Sequence, residues 1–296
     1  MVRETYDLLD RLGTGRIATT HLARQRGGSR LVALKRLRRE LVPRPELVER
    51  FLHQARVAKV CTHPNVVEIY NAGRSDEGYF IAMEYVEGPS LAELARTRPV
   101  PLHVALWLVR GLCIALDHVH TRTARGEPLD VVHRAVNPSN VIVTPRGQVK
   151  LIDFGAASTA RFQPHARHLV GTSAHVAPEA IRGDRSDLRV DLYGVGATAW
   201  ELLAGRPLFV DHSGAAVVEH ALYGIAAPLS RWRSDVSPEL DALVLSTLAK
   251  DPAQRPSSAL LLRKQLDAVI RCTCVNASAV AVARWLAEAG PMRAAG

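Results

Sequence analysis

The chain has 296 residues, 47% hydrophobic and 23% charged, with a formal net charge of +9. That length suits one large domain or two lobes sharing a cleft, and the balance excludes a disordered or fibrous chain. The basic residues are scattered and not interleaved with aromatics, which make up 5%, so a dispersed basic surface is expected and no nucleic-acid partner. Only LKRLRRE at 34–40 could gather into a small basic patch.

The longest apolar candidate, VALWLVRGLCIALDHVH, is broken by Arg110 and Asp117, so no membrane span is expected. MVRETYDLLDRLG is too charged for a signal peptide, which leads to the expectation of a cytoplasmic protein. Cys61, Cys113, Cys272 and Cys274 lack zinc-like spacing, so reduced thiols are expected.

In chain order, YDLLDRLGTGRIATTHLARQ and RLVALKRL flank the turn-like RGGS and read as a β-meander. PELVERFLHQARVAKV follows with helical spacing: Leu47, Phe51, Gln54 and Ala58 fall on one stripe, and Pro45 stands near its start. NVVEIYNAG and GYFIAMEYV give two more strands. After GPS, helical runs are predicted at 102–120, 188–204, roughly 215–223, 238–249 and 257–270. The strand pair VIVTPRGQVKLIDFG, and a loop running to APE, fall between the first two of these. An amphipathic segment, ASAVAVARWLAEAG, lies near the end. A β-rich part followed by a helical part places a cleft between them.

Several residues in that cleft have the chemistry to handle phosphate. Gly13 and Gly15 in LGTGRIATT permit a tight turn whose amides can approach a phosphate. Period-two alternation in LVALK puts Ala33 and Lys35 on one strand face and Val32 and Leu34 on the other. Asp153 in LIDFG follows an apolar strand and precedes a glycine, where a carboxylate can hold a divalent metal. Asn140, which ends VVHRAVNPSN, could be a second metal ligand.

Taken in order, LGTGRIATT, VALK, HPNVVEIY, MEYVEG, HRAVNPSN, DFG, APE, DLYGVG and DPAQRPS resemble the eukaryotic-type serine/threonine protein kinase family over residues 6–268. The insert TRTARGEPLD is similar to a myxobacterial branch. The resemblance implies an α+β bilobal protein-kinase fold, with a small β-rich N-lobe carrying one main helix (1–87) and a larger, mainly α-helical C-lobe (88–270). A C-terminal helical extension (271–296) would pack on or near the C-lobe. It further implies ATP contacts from Leu12, Gly13, Thr14, Gly15, Thr20, Ala33, Lys35, Met83, Glu84, Val86 and Ile142, with Mg²⁺ on Asn140 and Asp153. Met83 would be the gatekeeper. Glu179 would pair with Arg255, Asp191 would anchor the loop around His133 and Arg134, and Phe154, His133, Ala58 and Ile69 would form the column between lobes.

Three positions depart from the family. Ala135 stands where an aspartate should accept the hydrogen bond of the incoming hydroxyl, and a positioned base is worth roughly 10²–10⁴-fold. Gln54 replaces the helix glutamate that grips the lysine and surrenders the charge-assisted part of that contact; a slipped helix register would present Glu49 instead. Asn137 replaces the usual lysine. Thr172 would lack partners at both substituted loop positions. The stretch RFQPHARHLV has no hydroxyl to phosphorylate, and Ser158 and Thr159 are the nearest candidates. The expectation is a pseudokinase that binds ATP and Mg²⁺ and regulates or scaffolds a protein partner, an active kinase or its substrate. The alternative is a weakly active serine/threonine protein kinase.

Overall fold

A computed structural model describes residues 6–155, 157, 159, 173–209, 214–273 and 275–288. The alternating apolar positions of the first third pair into a five-stranded antiparallel sheet. Its strands are β1 (Tyr6–Thr14), β2 (Ala18–Gln25), β3 (Leu31–Leu37), β4 (Ile69–Ser75) and β5 (Gly78–Glu84), in the order β1-β2-β3-β5-β4. The alternation in β3 sorts as its sequence requires. Val32 and Leu34 join Tyr6, Ala23, Phe80 and Ala82 in a small outer cluster, leaving Ala33 and Lys35 to the opposite face.

Helix α1 (Pro45–Lys59) connects β3 to β4 and packs on the sheet. Proline at its first position costs no hydrogen bond, because that N–H has no intrahelical acceptor. Phe51, Gln54, Ala55 and Ala58 are buried along its inner stripe. The basic stretch at 34–40 is largely neutralised: Arg36 pairs with Glu77, Arg38 with Glu40, and Lys35 turns into the cleft.

The helical part begins with α2 (Leu91–Thr97), which the sequence reading did not anticipate. Its signal was SLAE, a capping box in which Ser90 Oγ accepts from Glu93 N at 3.2 Å and Glu93 Oε2 accepts from Ser90 N at 2.7 Å. Next come α3 (Leu102–His120), the hairpin β6 (Thr123–Ala124) and β7 (Glu127–Pro128), and the pair β8 (Val141–Val143) and β9 (Val149–Leu151). Then follow α4 (Pro178–Arg182), α5 (Arg189–Ala204), α6 (Gly214–Tyr223), α7 (Pro238–Thr247), α8 (Ala259–Cys272) and α9 (Ala279–Glu288). Helix α3 is the one described helix long and apolar enough to cross a membrane, but most of its apolar side chains from Leu102 to Val119 are buried, and it packs against α5, α8, β9 and α9. It is the core helix of this lobe.

Helix α9 packs against α3. Val282 is buried, and the Arg98 guanidinium sits 4.0 Å from the centre of the Trp285 ring while donating to the Trp285 carbonyl. Gly147, at the β8–β9 turn, has φ +74, and a Cβ there would collide with the carbonyl oxygen of Ala279. The turn therefore accepts the incoming helix only because it lacks a side chain. Cys61 and Cys113 are buried and Cys272 exposed, all as free thiols; burial pushes the first two up to about 12. Cys274 lies outside the described residues.

Candidate active site

Strand β3, helix α1 and the segment after β9 bring three polar side chains together. Lys35 Nζ donates to Asp153 Oδ1 at 2.6 Å and to Gln54 Oε1 at 3.1 Å. The helix register is therefore the unslipped one: Gln54 faces the lysine, and Glu49 is exposed and paired with Arg56. Because an ammonium only donates, Oε1 must be the atom facing it. The Gln54 Nε2 donor is left buried, with no partner among the described residues. An unmet donor of this kind costs about 1–3 kcal/mol. Asp153 Oδ1 also accepts from Gly155 N at 3.0 Å. Burial works to raise the Asp153 carboxyl, but the Lys35 charge and hydrogen bond, with the Gly155 N–H, hold it below the usual range.

The loop before β8 is held from below. Asp191, on α5 and fully buried, accepts from His133 N at 2.8 Å and Arg134 N at 2.6 Å. It also contacts His120 Nε2 at 2.8 Å. Burial would raise its pKa; the hydrogen bond and charge of His120, with the backbone donors, outweigh that and lower it. Both Arg134 and Asp153 have φ +61, a conformation that costs a non-glycine residue about 1–3 kcal/mol. The Asp191 and Gly155 hydrogen bonds are what hold the two residues there.

His133 is neutral, and its contacts dictate the tautomer. Ile152 O can only accept, so the proton sits on Nε2, 3.2 Å away; Nδ1 accepts from Ala135 N at 3.3 Å. Burial keeps its pKa low. The ring meets Phe154 edge-on at 4.7 Å. Phe154, Ala58 and Ile69 are buried in the connected interior that spans both lobes, and His133 is buried beside Phe154.

Ala135 presents a methyl group, and its carbonyl organises the loop. Asn137 Nδ2 donates to Ala135 O at 3.0 Å, and Asn140 Nδ2 does so at 2.9 Å. Asn137 Oδ1 then accepts from Ser139 N at 2.9 Å, capping the short turn Pro138–Asn140. Asn137 is thus a buried capping residue. Because Asn140 turns its nitrogen to the carbonyl, Oδ1 is its free ligand atom. One carboxylate and one amide oxygen suit a hard ion such as Mg²⁺. Among the described residues no group of three or more His, Cys, Asp or Glu gathers as a metal site.

On the other wall, Ala33 pairs with Met83 and Thr20 with Lys35, while Gly13 pairs with Thr20 across β1 and β2. Leu12 and Thr14 flank Gly13 in β1, and Gly15 N closes the turn on Ala18 O at 2.8 Å. Glu84 donates its N–H to Glu68 O at 2.9 Å and its carboxylate takes Lys150 Nζ at 2.7 Å. Val86 is buried just beyond it, and Ile142 on β8 is half-buried below.

Farther out, Arg255 clasps Glu179 with two parallel hydrogen bonds of 2.6 and 2.8 Å, both partners buried. Thr172, Ser158 and the stretch 161–170 lie outside the described residues. Three residues escaped the sequence reading: His120 on Asp191, Lys150 on Glu84, and Arg50, whose Nε donates to Gly155 O at 3.1 Å. Of these only Arg50 left a trace, as a residue one turn before Gln54 on the same helix.

Residues 6–266 match the family model described as protein kinase domain. The chain is 34% identical over 272 residues to serine/threonine-protein kinase PknB of Mycolicibacterium smegmatis, covering 89% of this chain and 42% of that protein. It is 34% identical to the probable serine/threonine-protein kinase SCO3848 of Streptomyces coelicolor (93% and 41%) and 32% identical to PrkC of Bacillus subtilis (86% and 39%). It thus spans about two fifths of the length of these relatives. With a five-stranded lobe over a helical one and that match across nearly the whole chain, this protein belongs to the eukaryotic-type bacterial serine/threonine protein kinase family.

Proposed function

We propose that this chain is a catalytically impaired kinase-family module, a pseudokinase, that binds ATP with Mg²⁺ and regulates or scaffolds a protein partner in cytoplasmic phospho-signalling. The partner would be an active kinase or its substrate. The observation that carries the reading is Ala135. An attacking hydroxyl needs an acceptor to orient it, and a methyl group has no lone pair. Both neighbouring amides are committed to holding the loop through Ala135 O.

Leu12 to Gly15, Thr20, Ala33, Met83, Val86 and Ile142 would enclose the nucleotide, with the Glu84 carbonyl and the Val86 amide meeting the base. Lys35 would reach the phosphates, and Asn140 and Asp153 would hold the ion. Mg²⁺, when bound, offsets phosphate charge. Nucleotide closing the lobes would shift the population of a surface seen by the partner. Radiolabel transfer from ATP to a generic protein substrate tests the reading: transfer at background level is expected, and brisk transfer by pure protein, lost in Asp153→Ala, would sink it.

A second reading, a slow kinase, draws on the buried Phe154, His133, Ala58 and Ile69 beside Lys35, Asn140 and Asp153. Positioning and electrostatics carry most of phosphoryl transfer, so part of the rate can survive loss of the base.

A further inference from the structure

Away from the cleft, a cavity of about 360 Å³ opens between the start of α3 and helix α9. That lies within the range of small-molecule sites, roughly 300–1,000 Å³. Its far wall depends on how α9 begins. Ser278 Oγ accepts from Ala281 N at 3.2 Å, which starts the helix, and the connection before it sets Val275 and Asn276 into the wall. Pro101, Val275, Ala281 and Trp285 make the lining apolar. Trp285 is only 6% exposed, and Arg98, stacked on its ring from outside the cavity, fixes it.

The polar side chains of the same space are His103, Asn276, Arg284 and Glu288. Among the described residues none of these four has a hydrogen-bond or ion-pair partner. Arg284 and Glu288 stand one turn apart on α9, the spacing at which opposite charges usually meet. No ion pair joins them. Helix α3 also starts at this wall with no side-chain cap and no acidic residue in its first turn, so its positive end is uncompensated. The cavity thus combines an apolar body with one free cation, one free anion and an adaptable amide.

We propose that this cavity binds a free α-amino acid with an apolar side chain. Arg284 and the start of α3 receive the carboxylate, and Glu288 receives the ammonium. Asn276 serves either group, because its amide both donates and accepts. The lining around Trp285 takes the side chain. A plain carboxylic acid would leave Glu288 unmet, and a plain amine would leave Arg284 unmet; the zwitterion satisfies both. The bound molecule bridges α3 and α9, so its concentration sets how firmly the extension is docked.

The test is titration calorimetry of the full chain with L-phenylalanine and L-leucine, beside glycine, N-acetylphenylalanine and phenylalaninamide. Phenylalanine and leucine are expected to bind at least about ten-fold more tightly than glycine, which leaves the lining empty. Acetylation removes the ammonium and amidation the carboxylate, and each weakens binding by about ten-fold, the scale of one charge-assisted contact. Arg284 and Glu288 are exposed, so their variants keep the fold. Arg284→Gln weakens phenylalanine by about ten-fold and leaves phenylalaninamide unchanged; Glu288→Gln weakens phenylalanine and leaves N-acetylphenylalanine unchanged. No binding of phenylalanine or leucine at about 10 mM overturns the proposal. So does binding that both variants leave intact, or weaken equally for every ligand. Phenylalanine displaced by ATP would place it in the cleft and overturn the proposal as well.

Discussion

The lower lobe and the cleft treat charge in opposite ways. In the lower lobe each buried charge named above keeps its partner: Glu179 has Arg255, and Asp191 has His120 and two backbone amides. In the cleft the three departures are all to uncharged side chains, Ala135, Gln54 and Asn137. The physical reason is an asymmetry of cost. Removing one member of a buried pair strands the other in low dielectric, whereas the uncharged Gln54 in the cleft leaves only a donor unmet. Fold and chemistry are separable here because they use different carboxylates.

The largest effect should come from breaking the lower-lobe side of that contrast. Arg255→Ala leaves Glu179 buried and unpaired, and the loss expected in urea unfolding is about 3–5 kcal/mol. A loss below about 1 kcal/mol would mean that the clasp is decorative and the contrast false.

The cleft side is tested by restoring what it lacks. Ala135→Asp with Gln54→Glu should raise phosphoryl transfer by roughly 10²-fold or more, the lower end of what a positioned base supplies. Stability should not fall, since Gln54→Glu also removes the buried unmet donor and offers Lys35 a charge. Unchanged transfer would show that the cleft differs from an active one beyond these two side chains.

Between these extremes lies the extension. Trp285→Ala removes the ring beneath Arg98 and should lower stability by about 2 kcal/mol, less than a central core truncation because α9 can detach alone. Gly147→Ala should loosen the same helix through its clash with Ala279, which proteolysis at the α8–α9 connection would report. Protease resistance equal to the parent in both variants would show that α9 holds by other contacts.

The sequence made the two lobes, the α1 stripe and the vacancy at 135 legible because each depends on local periodicity or on a motif with fixed spacing. Gln54 facing Lys35 followed from its stripe with Phe51 and Ala58. What stayed hidden were pairings across long separations. Lys150 meets Glu84 across 66 residues, and His120 meets Asp191 across 71. No periodicity links those positions. Asn137, at the position of the family's usual lysine, also caps the following turn with its own hydrogen bonds, a role visible only once that turn is known. Helix α2 was missed because its capping box opens a helix of only seven residues, too short for a periodic signal.

The smallest predicted effect concerns the junction of the two regions. His63, in the turn after α1, stacks on His118 of α3 with ring centres 4.6 Å apart. His63 Nδ1 accepts from Asn65 N at 3.0 Å, and His118 Nε2 faces Arg122 Nη1 at 3.5 Å. Each ring therefore uses an unprotonated nitrogen to meet a donor. Burial, reinforced by Lys150 for His63 and by His63 and Arg122 for His118, lowers both below the ordinary value of 6.5. The unfolded chain takes up these protons near that value and the folded chain only at lower pH, so the unfolded state binds more protons just below 6.5. Stability contributed here is full above that pH and declines as acid is added. Urea midpoints measured from about pH 7.5 to 5.5 should fall modestly, and His118→Gln, whose amide oxygen can still accept from Arg122, should shallow the slope. A slope identical in the variant would place the acid sensitivity away from His118, in the other histidines that burial lowers, among them His21, His53 and His133.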